Sequence, residues 1–339
     1  MTKRRSDKIS IVLATYTGAS RLPQCLSSIL NQNTTTKLEL IVVIDGPSNE
    51  IKKIVSSYKP ELTKKGINLT IHQFSTNQGR FVARLKGARL ARYPRLIIID
   101  DKIALFNNYV ETASKLNQYN VVLPINIEAE SKSLISRVVL LARTKLYRQG
   151  FNDNFKSYEV TADNFEATAK GTGGLIIDRQ LFIKACESIV EHETNLKATN
   201  EDTKILRQIV DWGKSVYKCS EAKAYYRPHV GIRAEIKHLY ARGPRFVNYY
   251  IQSGTRFNLA LWGFIVVTAA TVAMVIIYPS WLLYVLAIAA VFILLAATYL
   301  AQDLTDFFIA IIAMPLILLA FGAGVIKGLL IHLTSRSAH

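Results

Sequence analysis

The chain has 339 residues; half are hydrophobic, a fifth are charged, and the formal net charge is +17. This composition excludes a disordered chain, and 17 Gly with 9 Pro exclude a collagen-like or linker-like one. Of 42 basic and 25 acidic side chains, only Arg256, Lys327, Arg336, Asp303 and Asp306 lie beyond residue 253. A body with a net charge of about +16 is therefore joined to a nearly uncharged tail, which argues against a simple soluble protein.

The N-terminus reads Met-Thr-Lys-Arg-Arg-Ser-Asp-Lys, with no apolar signal region, so nothing in it directs the first domain across a membrane. Ile9–Ala14 is a short β-branched run that reads as a buried strand, and Thr15-Tyr16-Thr17-Gly18 ends it. Leu22, Leu26, Ile29 and Leu30 then recur at helical spacing. Leu38–Ile44 is a second strand, ended by Asp45-Gly46-Pro47, and Ile51, Ile54, Val55 and Tyr58 make a second helical stripe. Asn68–Phe74 is a third strand, Gly79–Ala91 a helix, and Arg95–Ile99 a fourth strand ended by Asp100-Asp101. This alternation predicts an α/β fold with a mainly parallel sheet flanked by helices. Ligands of such sheets bind beyond the carboxyl ends of the strands. The loops at that end hold Thr15–Gly18, Asp45–Ser48, Thr76–Arg80 and Asp100–Lys102.

The residue types in these loops suit a phosphorylated ligand. A carboxylate at Asp45 can accept from a nucleobase imide, although Asp before Gly is also an ordinary turn. Gly79 opens a helix whose N-terminus favours phosphate, and Arg84 and Gly87 follow; the alternative role of both glycines is helix entry and close packing. The dinucleotide fingerprint Gly-x-Gly-x-x-Gly is absent, which lowers a dehydrogenase reading. Asp100 and Asp101 at a strand end suit a divalent cation that bridges a diphosphate, or else a cap on the next helix. Glu201-Asp202 opens a stripe of Ile205, Leu206 and Ile209; such carboxylates serve equally as a first-turn preference or as a general base.

Ser133–Arg148 is a basic amphipathic helix, read either as lying on a membrane or as packed on the sheet. Ile232–Gln252, with Arg233, Lys237, Arg242 and Arg245 among apolar and aromatic residues, reads as interfacial. Leu259–Tyr278 and Trp281–Leu300 are each 20 residues without a charge, long enough to cross the hydrocarbon core, and Pro279-Ser280 turns one into the other. Phe307–Ile326 is a third apolar run, weakened at its far end by Gly322, Gly324 and Lys327. Trp262, Tyr278, Trp281, Tyr284 and Tyr299 sit near the ends of these runs, as interfacial aromatics do. Arg242, Arg245 and Arg256 flank the first span and place that side in the cytoplasm. Cys25, Cys186 and Cys219 are scattered, as expected of reduced thiols, with neither a disulfide framework nor zinc spacing. The basic body suits lipid head groups and phosphates, and no nucleic-acid-binding motif is present.

Taken together, these features resemble glycosyltransferase family 2 on the GT-A fold, over about residues 8–250, in its membrane-bound bacterial form with C-terminal transmembrane helices. Ile11–Tyr16 resembles the family's strand ending in Thr-Tyr-Asn. Leu38–Ser48 is similar to its Glu-Ile-Ile-Val-Val-Asp-Asp-Gly-Ser segment, with Asp45 as the nucleobase-contacting Asp. Asn77–Gly87 is similar to the Asn-x-Gly…Ala-Arg-Asn-x-Gly helix. Gly171–Gly174 with Asp178-Arg179 resembles the acceptor-side segment, Glu201-Asp202 the Glu-Asp motif, and Arg227-Pro228 with Tyr240–Gly243 the linker before the spans. The implied domains are a cytoplasmic transferase over 1–230, interfacial helices over 231–256 and an anchor over 257–333, with helices at 259–278, 281–300 and 307–326. The resemblance implies inverting transfer from a nucleotide diphosphate-sugar to a membrane-associated acceptor, a lipid-linked sugar or growing glycan. Asp202 would be the base, in a cleft that raises its pKa, with Glu201 supporting it. Thr15, Tyr16, Asp45, Gly79, Arg84, Asp100, Asp101 and Lys102 would hold the donor. Gly173, Arg242 and Arg245 would meet the diphosphate or acceptor. Alternatives are direct transfer to polyprenyl phosphate and a membrane-bound binding module without catalysis.

One departure stands out. The family's Asp-x-Asp, whose last Asp holds Mg²⁺ or Mn²⁺, is here Asp100-Asp101-Lys102, and an ammonium cannot ligate a cation. Either Lys102 supplies the positive charge itself, or Asp101, with Asp100, shifts into the metal role, or the site is degenerate. Sugar, nucleotide, linkage and oligomeric state are not specified by the sequence.

Overall fold

The computed structural model describes residues 8–128, 133–147, 156–193, 195–197, 199–227, 231–252 and 254–336. Arg148, Pro228 and the basic N-terminal run lie outside the described residues. The first elements are β1 (Lys8–Thr15), α1 (Leu22–Leu30), β2 (Lys37–Ile44), α2 (Asn49–Ser57), α3 (Lys59–Lys64), β3 (Asn68–Gln73), α4 (Arg80–Leu90), β4 (Arg95–Asp100), β5 (Ile103–Leu105), α5 (Tyr109–Lys115) and β6 (Val121–Glu128). Then come α6 (Leu134–Leu146), β7 (Tyr158–Val160), a 3-10 turn at Phe165–Ala167, β8 (Leu175–Asp178), α7 (Arg179–His192), α8 (Glu201–Asp211) and β9 (Val216–Tyr226). The chain ends with α9 (Ile232–Tyr250), α10 (Asn258–Ile277), α11 (Trp281–Leu300) and α12 (Leu304–Arg336). Two compact units result. The first takes Met1–Ala129, Tyr147–Lys197 and Glu201–Pro228; the second takes Glu130–Leu146, Ala198–Asn200 and His229–His339.

In the first unit the sheet runs β3-β2-β1-β4-β8-β6-β9-β5, with β7 on β9. β3, β2, β1 and β4 are parallel, as expected from strands joined by helices. The other half is mixed, because β8 enters antiparallel to both β4 and β6. β1 shows why these runs become central strands. Ile9, Ile11, Val12 and Leu13 are wholly buried, so both faces are covered. The odd positions join Leu22, Leu26, Ile29, Ile51 and Val55 of α1 and α2 in one core. Val12, on the other face, meets α4 at Gly87, where a Cβ would stand 2.3 Å from Val12 Cγ1. Gly87 is thus the close-packing glycine that lets α4 lie on the sheet. Each such buried aliphatic side chain contributes about 1.5–3 kcal/mol. The parallel register carries Thr15, Asp45 and Asp100 to one edge of the sheet.

The second unit is helical. α6 joins α9, α11 and α12 in a shared core of Ile135, Val138, Leu239, Ala297, Ala310, Ala313 and Met314. Neither sequence reading of α6, free on a membrane or packed on the sheet, described this: its apolar stripe is matched by the small-residue faces of α11 and α12. The boundary read at 230 therefore misses a segment contributed from the middle of the chain. Arg137 of α6 donates from Nε and Nη2 to the buried Asp306 at 2.8 and 3.2 Å. α10 and α11 are each 20 residues long, and only 6 % of their most apolar windows is buried. A buried protein core does not look like this, and helices so apolar and so exposed are long enough to cross a membrane. α12 runs 33 residues, well past the expected end at 326. Gly324 and Gly328 do not end it. Together with Gly243 they let its backbone touch that of α9: a Cβ on Gly243 would stand 2.1 Å from the Gly324 carbonyl carbon, and one on Gly328 2.8 Å from Pro244 Cα.

Candidate active site

The site is built where β1, β2, β3 and β4 end. Asp45, just past β2, is buried and accepts from Gln78 N–H at 2.7 Å, Gly79 N–H at 3.0 Å and Asn77 Nδ2 at 3.0 Å. Its carboxylate therefore pins the loop that starts α4. Gly79 caps that helix with φ +98°, a conformation that side-chain-bearing residues rarely adopt. Tyr16 is half exposed, and its ring lies beside Gly46, where an added Cβ would come within 3.2 Å of Tyr16 Cε2.

α4 then presents Arg80 and Arg84, one turn apart on one face. Arg84 is 3 % exposed. Its Nη2 donates to both oxygens of Asp100 at 2.9 Å, and its Nη1 donates to Asp202 at 2.7 Å and to Thr172 Oγ1 at 3.0 Å. Arg80 donates from Nε to Glu201 at 2.6 Å and from Nη2 to Asp202 at 3.3 Å. Thr172 also donates to Asp202. Residues from four distant parts of the chain thus meet in one charged cluster. Asp101 stands just beside it and is already engaged: it accepts from Thr15 Oγ1 at 2.9 Å and from Arg21 Nε and Nη2 at 3.0 and 2.9 Å.

The electrostatics correct one sequence expectation. Burial alone would push Asp202 up, but the Arg80 and Arg84 guanidiniums and the Thr172 hydroxyl outweigh it, holding the carboxyl well below the usual carboxylate range. Asp202 is not raised towards neutrality here, because the cleft that desolvates it also supplies two cations. Lys102 moves the other way. Burial lowers it from 10.5 to about 8, despite Asp100 and Asp101 nearby. Its charge therefore opposes folding below about pH 8, and the penalty lifts as pH rises from 8 towards 10.5. Lys102→Met should stabilise the protein at pH 7 by about 1–2 kcal/mol, allowing for solvent screening, with the gain shrinking above pH 8. Thermal unfolding at pH 7 and pH 10 measures this.

Chain direction separates the residues of the acceptor-side segment. Gly174 N–H donates to the Ile98 carbonyl, so Gly171–Gly174 lie at the Asp100 end of β4. A Cβ on Gly173 would press on Ile103, 2.5 Å from its Cδ1. Since β8 runs antiparallel to β4, Asp178 pairs with Arg95, five residues back from Asp100 and about 16 Å away. There Asp178 accepts from Arg95 and Asn120, and Arg179 donates to the carbonyls of Ala88 and Arg89. Asp178 and Arg179 are fold staples at the far end of the sheet. Arg242 and Arg245 stand on α9, in the second unit.

Sequence reasoning missed Arg21, and it held Arg80 and Thr172 only as members of the Thr76–Arg80 loop and the Gly171–Gly174 segment, with no role of their own. Arg80 carried a usable signal, since it precedes Arg84 by four residues on a helix and must share its face. Arg21 carried none, because its partner lies 80 residues away, and the segment around Thr172 did not show its pairing with Asp202, 30 residues on.

The donor set does not fit a divalent cation as arranged. Asp100 is forked by Arg84, Asp101 is held by Arg21, and the third position is Lys102. Among the described residues no three His, Cys, Asp or Glu side chains form a group that would hold a metal ion.

Comparison with known proteins agrees with this architecture. Residues 10–115 match the profile of glycosyl transferase family 2. The structure of the mannosyltransferase PcManGT from Pyrobaculum calidifontis, in complex with GDP-Man and Mn²⁺, superposes with a TM-score of 0.56 at 15 % identity, over 97 % of this chain and 88 % of that one. S. aureus TarS 1–349 in complex with UDP-GlcNAc gives a TM-score of 0.50 at 15 % identity, over 74 % of this chain and 68 % of that one. No curated protein matches the chain by sequence. With the fold shared and Thr15, Asp45 and Asp100 at one sheet edge, residues 10–115 carry a glycosyltransferase family 2 domain of GT-A fold, and the chain ends in three apolar helices that fit a membrane-associated member of that family.

Proposed function

We propose that this protein is an inverting glycosyltransferase that moves a sugar from a nucleoside diphosphate sugar to an acceptor held at the membrane. The observation that carries the reading is the placement of Glu201 and Asp202 against Arg80, Arg84 and Asp100 at the carboxyl end of β4. That is where an open α/β sheet binds its ligand. Tyr16, Asp45 and Gly79 border the nucleobase end: the Tyr16 ring offers a flat apolar face, and Asp45 fixes the loop beside it. Thr15 and Asp101 brace the adjoining wall, with Arg84, Asp100 and Lys102 towards the diphosphate. Gly173, its backbone packed close on Ile103, lines the acceptor side. Asp202 takes the acceptor hydroxyl's proton as its oxygen attacks the anomeric carbon, and Glu201 supports it. By the family resemblance, the guanidiniums of Arg242 and Arg245 suit a phosphate group. A transmembrane anchor in the same chain favours a lipid-linked sugar, growing glycan or polyprenyl phosphate as acceptor, with the transferase unit on the cytoplasmic side. PcManGT is bound to Mn²⁺ in its own complex; the carboxylates here are committed to guanidiniums, so no step is assigned to a metal.

A second reading, a nucleotide-sugar-binding module without catalysis, draws on one observation: Asp202 is tied to two guanidiniums. Labelled UDP-, GDP- and dTDP-sugars incubated with the lipid-reconstituted protein and a lipid extract separate the two. Transfer predicts label in the lipid-extractable fraction with the opposite anomeric configuration to the donor. Label that stays on the nucleotide, with binding retained, supports the module, and retained configuration contradicts inversion.

A further inference from the structure

We propose that Arg80 is a catalytic residue with two positions: without donor it pairs with Glu201 and Asp202, and with donor it turns to the diphosphate, taking the place of a bridging cation and releasing Asp202. The proposal rests on the sugar-transfer reading above and names the residue that meets the donor's charge. Its first support is the contrast between the two arginines. Arg84 is a buried strut, 3 % exposed, with its fork shared among Asp100, Asp202 and Thr172. Arg80 is 35 % exposed, and only its Glu201 contacts are close; Asp202 is 3.3 Å away and Asp100 3.8 Å. It stands in the first turn of α4, directly after Gly79. Its open side gives Arg80 room to turn, and Glu201, 3.7 Å from Arg84 Nη1, keeps one guanidinium when it does; the diphosphate must offset the loss of the closer pair.

The second support is charge. Asp100, Asp101, Glu201 and Asp202 face Arg21, Arg80, Arg84 and Lys102, four negative against four positive. A diphosphate brings at least two more negative charges into this neutral cluster, and no carboxylate is left over to hold a divalent ion for it. Cations already in the site must answer it. Arg80 is the most exposed guanidinium of the group, and its planar fork matches phosphate oxygens.

The exchange also serves the base. With Arg80 on the diphosphate, Asp202 keeps Arg84 and Thr172 but loses one guanidinium, so its proton affinity rises when donor is present. The acceptor oxygen then bonds to the anomeric carbon, and the bond from that carbon to the diphosphate oxygen breaks. Its electron pair leaves with the diphosphate beside Arg80, and the acceptor's proton goes to Asp202.

Calorimetric titration of the full chain in mild detergent with UDP, GDP and dTDP, in EDTA and in Mn²⁺, tests this. One nucleotide should bind with the same Kd in both, within about twofold, and Arg80→Ala should weaken it about tenfold or more. Arg80→Lys should weaken it less. Glu201→Gln is the decisive variant. If Glu201 competes with the diphosphate for Arg80, removing its charge should tighten nucleotide binding about threefold or more, whereas a purely structural pair predicts unchanged or weaker binding. Arg80→Ala leaves Glu201 buried without its close partner, so Arg80→Ala/Glu201→Gln, checked by thermal unfolding, replaces it should the single variant misfold. Binding that appears only with Mn²⁺, or that ignores Arg80→Ala, or a Glu201→Gln variant that binds no tighter, overturns the proposal. Failure of the wild type to bind any of the three nucleotides, with or without Mn²⁺, overturns the sugar-transfer reading and the proposal with it.

Discussion

Asp202→Asn should lower turnover by about 10²–10⁴-fold without weakening nucleotide binding. Asn fills the same volume and still hydrogen-bonds Arg84 and Thr172, but it cannot accept the acceptor's proton. Because Asp202 is ion-paired to two arginines, its pKa also has a stability consequence. The folded-state value lies well below the ordinary 3.8. A depressed carboxylate adds stability that is fully present above the unfolded value and is lost as pH falls through the folded one. Wild type should therefore be the more stable of the two at pH 7, and the margin should shrink below about pH 4. Turnover, titration and unfolding on the same two proteins separate a proton-accepting role from a structural one. Unchanged turnover in Asp202→Asn shows that the base lies elsewhere.

Gly243→Val should disrupt the helical unit. The added Cβ would meet the α12 backbone at 2.1 Å, and a backbone atom cannot rotate away as a side chain does. One helix must be displaced, with loss of the contacts around Leu239, Val247 and Gly328. Overpacking of this kind costs about 1–3 kcal/mol where neighbours can adjust, and here the neighbour is main chain. Gly324→Val should behave alike, since its Cβ would stand 2.2 Å from the Tyr240 carbonyl oxygen. Gly263→Val on α10 is the control, because nothing lies within 4 Å of its Cβ. Size-exclusion profiles and thermal unfolding in detergent should show loss of the folded peak for the first two variants only.

The residues differ in how far they could be read without coordinates. β1, β2, β3 and β4 were legible because each is a continuous β-branched run closed by polar turn residues, and the parallel half of the sheet follows from that alternation. The ends of those strands gave Thr15, Asp45 and Asp100, which the structure brings to one edge. β5, β7 and β8 are three or four residues long, too short for any period to show. The antiparallel entry of β8 was equally hidden, and with it the separation of Gly171–Gly174 from Asp178-Arg179. α6 reads equally as lying on a membrane or packed on the sheet, because its partners, Ala297, Ala310 and Ala313, lie more than 150 residues away. The same distance effect concealed the charge pairing. Glu201-Asp202 read as a motif, but nothing local shows that Arg80 and Arg84 reach across 121 and 118 residues to hold it. Local sequence fixes which groups stand at a strand end, while their protonation and freedom to move depend on what the fold places opposite them.

Nucleotide release by the lipid-reconstituted protein tests sugar transfer most directly. The measurement uses a panel of UDP-, GDP- and dTDP-sugars, with and without a lipid extract as acceptor, and in EDTA. Release of one nucleotide from one donor, dependent on the lipid and continuing in EDTA, is the predicted result. Absence of release from every donor in the presence of the lipid acceptor, with or without Mn²⁺, would contradict it.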